Sequence, residues 1–585
     1  MLLSSFETKA RLLSFIIFLG LFLIFLRLAY WQIVQSASLS AAADNQHFYF
    51  LEIPAKRGEI KTNDHSALAS NKAAYLLYAH LPEISLEKKI IANQLAEIIA
   101  PSVPLIASDS ATPKIKEDLA KYFFDRLNLQ NALWVNLYHF VSSDNRHKIE
   151  DLKIAGLGFE DEQIRDYPEA SMAAHTLGFV GSDQNGLPKG YFGLEGYYQR
   201  ELAGKAGEIR LEKDAFGRPI AIGSEQRQEK QDGRDLVTTI DRSVQHFVEV
   251  NLEKGIADWK ASGGTAVVMD PKTGAIIALA NYPKYDPQNF AYYPGKLYKN
   301  PAIADLFEPG SIIKPIVMSA ALNENKITAE TRCDKCDGAR QVYNYYIHTF
   351  DNQYHPNETM TEVLINSDNT GMVFVGEKLG FNNFYSYLNK FGFGKKTGVD
   401  LEEEEEGSLR NINDYYPIDQ ATLAFGQGIP VNALQMVRAY AALANHGYLP
   451  TPYLVSQIVN PIQTITLPPK PGTRVISDST AKTITEMLVQ VANKSPEHYP
   501  KDRLPELAKF RIAAKSGTAQ IALGGKYKSS GTIASVIGYF PADDPKYLIY
   551  VKLNEPEVRP WGSDTAGPVF FAITRDLVSY YGLSP

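Results

Sequence analysis

One stretch near the start limits every fold open to this chain. From Leu12 to Leu26 the sequence is apolar except for Ser14 and Gly20, and after Arg27 the run Leu28 to Val34 continues it. As one helix, these 23 residues reach about 34 Å at roughly 1.5 Å per residue, enough to cross a bilayer core. Arg27 sits near one end, where its stem can reach the headgroups. Tyr30 and Trp31 suit the interfacial aromatic belt. Lys9 and Arg11 precede the span, which places the N-terminus in the cytoplasm and the bulk of the chain outside it. A cleaved signal peptide competes with this reading, since Ala41-Ala42-Ala43 offers small residues. The apolar run, however, exceeds the roughly 7–15 residues of a signal core. An uncleaved anchor is the expectation.

The chain has 585 residues, which argues for two to four domains rather than one core. With 59 basic against 66 acidic residues its net charge is −7, and it has no long basic tract, so nucleic-acid binding is excluded. Its two cysteines, Cys333 and Cys336, are spaced Cys-x-x-Cys. No nearby histidine pair completes a zinc site, and a redox role lacks its usual context. They read as a local bridge or two free thiols.

Along the chain, Gly58 separates two strand-like pieces and Asn63-Asp64 signals a turn. Residues 84–154 carry helical periodicity, interrupted by a loop-like stretch from Ala100 to Pro113. From Gly156 the text turns β-rich and glycine-rich, with nothing that proposes chemistry. Gln226 to Gly233 reads as a linker. Beyond it, Thr265–Asp270 and Ala275–Ala280 form a hairpin across Pro271-Lys272-Thr273-Gly274. Late strands are expected at Thr532–Gly538 and Tyr547–Leu553. A terminal helix is expected over Pro568–Tyr581, with its proline in the first turn.

Three short segments carry the chemistry: Ser311-Ile312-Ile313-Lys314, Ser367-Asp368-Asn369 and Lys515-Ser516-Gly517-Thr518. Their spacings, Ser311 to Ser367 and Ser367 to Lys515, are 56 and 148 residues. Each alone reads as a helix cap, a turn or a hairpin. In this order they form a set. Breakers precede Ser311 and a buried-looking run follows, so Ser311 sits at a helix start with Lys314 on the same face at i+3. A serine hydroxyl needs a base. Lysine serves only when neutral, through burial or a second cation, and Lys515 can be that cation. Ser367 is expected to relay a proton to a leaving amine. Asn369 can bind a substrate carbonyl and Lys314. Gly517, on an edge strand, would let substrate approach the backbone. The N–H groups of Ser311 and Thr518 would make an oxyanion hole, each donor worth about 3 kcal/mol of barrier. Lys515 and Thr518, with Ser516 beside them, would hold a substrate carboxylate.

This set resembles the class B penicillin-binding proteins, and the flanking Glu308-Pro309-Gly310 and Gly426-Gln427-Gly428-Ile429, with Gln435 and Ala439-Tyr440-Ala441, extend the likeness. The resemblance implies an α/β chain with a transmembrane helix, a β-rich pedestal (dimerisation) domain and a penicillin-recognising transpeptidase domain, an antiparallel sheet flanked by helices. The implied boundaries are a cytoplasmic tail at 1–11, the anchor at 12–34, the pedestal at 35–232 and the transpeptidase domain at 233–585. It implies a peptidoglycan D,D-transpeptidase with a serine acyl-enzyme. Its substrates would be stem peptides on lipid II-derived glycan strands, and β-lactams its inhibitors. It implies no metal and no organic cofactor. The text is closer to the septal (FtsI) type than to the elongation type, and that type implies a polytopic glycosyltransferase partner. Ser-Asp-Asn departs from the usual middle residue. A β-lactam hydrolase or sensor would need a carboxylate to activate water. The run Glu402 to Glu406 is the candidate, though an acidic run usually forms a solvated loop. A catalytically silent divisome scaffold would not need Ser311, Lys314, Asn369 and Lys515.

Overall fold

The computed structural model describes residues 2–102, 112–130, 132–184, 186–212, 225–494, 505–523 and 526–585. The expected loop from Ala100 to Pro113 lies mostly outside them.

The chain forms two compact units. The first joins residues 1–56 to 204–233. Its helix Leu2–Ala29 runs on through a π-turn, Tyr30–Val34. The span Glu7–Val34 is long and apolar enough to cross a membrane, and none of it is buried. A second helix, Ser36–His47, leads into an antiparallel sheet of Phe48–Ile53, Gly207–Glu212 and Glu225–Gln228. The expected linker from Gln226 is therefore partly a strand. Its polar residues sit on an edge strand that pairs only with Gly207–Glu212 among the described residues.

The second unit holds residues 57–203 and 234–585. Ala67–His80 pairs with both Trp134–Val141 and Leu157–Asp166, and the sheet extends through Ile60–Lys61 to Asp235–Thr238 and Val455–Val459. Helices Lys88–Ile99 and Thr112–Leu127 pack Ile91, Leu95 and Phe123 against Leu77 and Leu137. Trp134–Val141 corrects the helical reading of residues 84–154. Val135, Leu137 and Val141 are buried between more exposed neighbours, the period of a strand.

A buried ion cluster ties this part together. Glu195 Oε1 accepts from Arg165 Nε at 2.7 Å, and Glu195 Oε2 lies 2.6 Å from Arg57 Nη2. Arg165 also donates to the Gly58 carbonyl at 2.8 Å. Burial opposes ionisation of Glu195, yet Arg165 and Arg57 hold its carboxyl below the usual range. Gly58 has no room for a side chain, since a Cβ there would sit 1.9 Å from the Arg234 carbonyl oxygen.

The larger core surrounds a five-stranded antiparallel sheet ordered Ile276–Tyr282, Gly263–Met269, Tyr547–Asn554, Lys526–Phe540, Ala513–Leu523. Alternate residues serve opposite faces. Ala266, Val268, Val536 and Val551 meet helices Arg242–Trp259 and Gly562–Tyr581, while Val267, Ile537 and Tyr550 belong to the core around helix Lys314–Asn323. Both faces are covered, which explains the near-continuous apolar strands. The terminal helix starts at Gly562, so Pro568 lies inside it rather than in its first turn. Cys333 and Cys336 form a buried disulfide.

Glu195→Ala leaves two buried guanidinium groups without a counter-charge. A loss of about 3–5 kcal/mol is expected, read as a lower midpoint in urea. An unchanged midpoint would show that the cluster adds no stability.

Candidate active site

The Ser311 turn is built by close backbone packing. Gly310–Ile313 is a 3₁₀ turn that passes directly into helix Lys314–Asn323, with Pro315 in the first turn of the α-helix. Gly310 has φ of +56°, and a Cβ there would sit 2.9 Å from the Thr518 carbonyl oxygen. Its N–H donates to the Gly426 carbonyl at 3.1 Å. Gly426 is just as constrained, because a Cβ there would lie 2.2 Å from the Gly310 oxygen. Tyr440 adds a third hold, donating its hydroxyl to the Ile312 carbonyl at 2.7 Å. Glu308 accepts from Gly428 N–H and from the Tyr527 hydroxyl, both at 2.9 Å.

Helix Lys314–Asn323 is buried from Lys314 to Ala321, so the Lys314 amine has left water entirely. Its Nζ reaches the Ser367 carbonyl at 2.5 Å, Asn369 Oδ1 at 2.8 Å and Ser367 Oγ at 3.2 Å. Burial first, then the charge of Lys515, holds Lys314 well below its ordinary value, and Asp368 and Glu358 act the other way. The sequence left burial or a second cation as the cause; both act, and burial is the larger. Among the described residues the Ser311 hydroxyl, only partly exposed, takes no hydrogen bond.

Ser367 follows helix Met360–Ile365 with φ of +52°, a left-handed conformation that a non-glycine residue adopts at a cost. The outcome is geometric. Its Oγ accepts from Lys515 Nζ at 3.1 Å as well as standing 3.2 Å from Lys314 Nζ. Asn369 starts helix Asn369–Leu379, and its Nδ2 donates to the His348 carbonyl at 2.9 Å. That bond leaves one amide N–H for a substrate.

Lys515 lies on the edge strand Ala513–Leu523, is 2% exposed, and is lowered to about 7 by burial. It also donates to the Ser516 carbonyl at 2.9 Å. Thr518 Oγ1 accepts from Gly562 N–H at 3.0 Å, so its own proton is free to point at an anion. Gly517 has a structural duty that the sequence did not show. A Cβ there would lie 2.8 Å from Ile312 Cγ2 and 2.9 Å from Ser535 Oγ, so the missing side chain lets the Ser311 turn approach the strand.

The structure thus brings Ser311, Lys314, Ser367, Asn369, Lys515, Gly517 and Thr518 to one place. Sequence reasoning missed Gly562, Tyr440 and the His348 carbonyl. Only Tyr440 had a signal, within Ala439-Tyr440-Ala441. The acidic run departs from the expected solvated loop at one residue. Glu404 is buried and accepts from the N–H groups of Thr397 and Gly398 at 2.6 and 3.2 Å. Glu402 accepts from Phe192 N–H at 3.0 Å, and Glu403 lies 3.5 Å from Lys299. Glu402, Glu403, Glu405 and Glu406 are exposed, as a solvated loop requires, and Glu404 alone is buried; among the described residues none of the five carboxylates bonds to Ser311, Lys314, Ser367, Asn369 or Lys515.

Residues 264–575 match the family model described as penicillin binding protein transpeptidase domain, and residues 52–238 match the penicillin-binding protein dimerisation domain. Stage V sporulation protein D of Bacillus subtilis is 31% identical over 592 residues, covering 100% of this chain and 88% of that protein. Peptidoglycan D,D-transpeptidase FtsI of Escherichia coli is 27% identical, covering 99% and 92%. Among solved structures, a peptidoglycan synthetase from Bifidobacterium adolescentis superposes with a TM-score of 0.71 at 25% identity, covering 92% of this chain and 98% of that one. Penicillin-binding protein 2X of Streptococcus thermophilus shares the fold, with a TM-score of 0.73 at 24% identity over 91% of this chain and 80% of that one. With a transpeptidase match across more than half its length, a dimerisation match before it, and the three motifs gathered around one serine, the chain belongs to the penicillin-binding transpeptidase family.

Proposed function

We propose the following division of labour in this peptidoglycan D,D-transpeptidase. Ser311 Oγ attacks the carbonyl between the two D-alanines of a stem peptide, and its proton passes to neutral Lys314. The N–H groups of Ser311 and Thr518 take the oxyanion. Ser367 carries a proton to the leaving D-alanine amine. An amine of a neighbouring stem peptide then attacks the ester carbonyl and gives up a proton through Lys314 to the Ser311 oxygen as the ester bond breaks, and the cross-link is complete. Asn369 orients the donor peptide through its remaining N–H. Lys515 and Thr518, with Ser516 and Gly517 in the same strand, receive the donor's terminal carboxylate.

The observation that carries this reading is the Ser367 hydroxyl set between two buried lysines, 3.2 Å from one and 3.1 Å from the other. A neutral lysine has two N–H donors and one lone pair, and a hydroxyl is both donor and acceptor. The pair can therefore pass a proton without leaving a charge stranded. β-Lactams present the same carbonyl and carboxylate and would acylate Ser311.

The anchor at 12–34 is read as a single pass with the N-terminus cytoplasmic, the pedestal as 35–232 and the transpeptidase domain as 233–585. Lys9 and Arg11 support that orientation. The relatives named FtsI support a place in septal wall synthesis. There a polytopic glycosyltransferase would supply glycan strands.

Ser311→Ala is expected to abolish labelling by a fluorescent penicillin in a folded protein, and full labelling would remove Ser311 as nucleophile. Lys314→Arg keeps a charge but removes the base, because arginine holds its proton to above about 12. Acylation within a few-fold of wild type would show that Lys314 is not the base. Gly517→Ala drives a methyl into Ile312, and acylation is expected to slow by at least about tenfold, since misplacing the reacting atoms by ~1 Å costs about a hundredfold. An unchanged rate would show that the turn does not depend on this contact.

A further inference from the structure

Beneath the Ser367-Asp368-Asn369 turn lies a pair of carboxyl groups that no step above uses. Glu358 is 5% exposed and Asp368 1%. One carboxylate oxygen from each and Cys336 Sγ lie within 4.8 Å of one another. Each carboxyl is only half satisfied. Asp368 Oδ1 accepts from Thr370 N–H at 2.6 Å, the Thr370 hydroxyl at 2.7 Å and Gly371 N–H at 3.1 Å. Glu358 Oε2 accepts from Asn366 Nδ2 at 3.0 Å. Asp368 Oδ2 and Glu358 Oε1 are buried with no hydrogen-bond partner among the described residues.

Two buried carboxylates at this distance cannot both stay ionised without something positive between them. The Lys314 amine is occupied by Ser367 and Asn369. Cys336 is bonded to Cys333 and offers no thiolate. Two carboxylates alone make a poor set for a hard cation, which takes six or so oxygens. A proton needs only the two oxygens that are free.

We infer that Glu358 is held protonated and donates to Asp368, and that this pair positions the Ser367–Asn369 turn and limits the negative charge facing Lys314. Burial, with the Asp368 carboxylate close by, pushes the Glu358 carboxyl up to about 8. Below that pH one negative charge faces Lys314. Above it a second appears, repels Asp368 from its cap and favours the protonated, inactive form of Lys314. Acylation should therefore fall on the alkaline side.

The other charged groups nearby are accounted for. Lys515 reaches Ser367 from the edge strand, and Glu362 is engaged by Thr359 at 2.8 and 2.9 Å. Arg332 donates to the Asn357 carbonyl, while Lys335 and Arg340 pair with Glu377. The two cysteines do not titrate. Because Lys515 titrates too, the comparison with a Gln variant assigns the effect. Glutamine keeps a donor towards Asp368 and never ionises.

The inference rests on Lys314 acting as the base. The test uses the full-length protein in detergent micelles and the rate of acylation by a fluorescent penicillin across pH. Wild type is expected to lose about tenfold between pH ~7.5 and ~9.5, and Glu358→Gln less than about threefold. Glu358→Gln should also retain at neutral pH the activity that Glu358→Ala loses. An infrared difference spectrum of wild type minus Glu358→Gln should show a protonated-carboxyl stretch at neutral pH. Superimposable pH profiles, or no such band, would overturn the inference. So would a stoichiometric bound metal with chelator-sensitive acylation, which would put a cation where the proton is placed. If wild type takes no label at any pH, the Lys314 reading falls instead, and the infrared band alone decides the shared proton.

Discussion

Two lysine amines taken out of water meet at one serine hydroxyl, and the structure around them exists to hold that arrangement. A buried ammonium is costly, by several kcal/mol even after relaxation. Lys314 and Lys515 avoid this by giving up the proton more readily than an exposed lysine does. For Lys515 the folded value is about 7 against an ordinary 10.5. A group that refuses a proton in the folded state but takes one when unfolded favours unfolding below its unfolded value. The fold therefore gains stability as pH rises from about 7 towards 10.5. What destabilises the protein at neutral pH is the same feature that makes a lysine usable as a base.

Holding those amines in place needs rigid elements on both sides. Helix Lys314–Asn323 is buried all round and cannot rotate. The five-stranded sheet has apolar residues on both faces, each covered by helices. That fixes its edge strand Ala513–Leu523 while leaving one side of the strand without a strand neighbour. An edge strand presents N–H and C=O groups to any extended chain beside it. A transpeptidase that takes a peptide next to its nucleophile needs such an edge. Gly517 and Gly310 bring the Ser311 turn against it, because neither has a side chain to hold the backbones apart.

Much of this was legible in the sequence, for definable reasons. Ser311 and Lys314 fall on one face because of helical spacing, and Lys515 is placed on an edge strand because the motif set calls for one beside Ser311. The misses have physical causes too. Trp134–Val141 lies among helical segments whose periodicity masked its alternation. Gly562 to Gly567 is rich in small polar residues and reads as a loop. It becomes helix because Gly562 packs on the strand, where a Cβ would meet the Gly517 carbonyl oxygen at 2.2 Å. Glu404 looked solvated because charge runs usually are, and composition cannot reveal the two N–H groups that wait for it at Thr397 and Gly398. That a Cβ at Gly517 would meet Ile312 and Ser535 was likewise beyond the sequence. Distance between segments is what a sequence does not carry.

The middle residue of Ser-Asp-Asn shows how one local choice spreads. Asp368 caps helix Asn369–Leu379 through Thr370 and Gly371. A serine or asparagine would cap as well, without bringing a charge. The aspartate places a negative group one residue from the hydroxyl that both lysines touch, and that charge pulls Lys314 towards its protonated form. A base that must be neutral then needs opposing influences of equal reach. Burial of the amine is the first, and the edge-strand Lys515, while it carries its proton, is the second. A further carboxylate at Glu358 would work against both, so the burial that keeps Glu358 from ionising acts on the same side as Lys515. The helix cap at Asp368, the buried Glu358 and Lys515 thus bear on Lys314 through one electrostatic balance, and a change in charge at any of them is felt there.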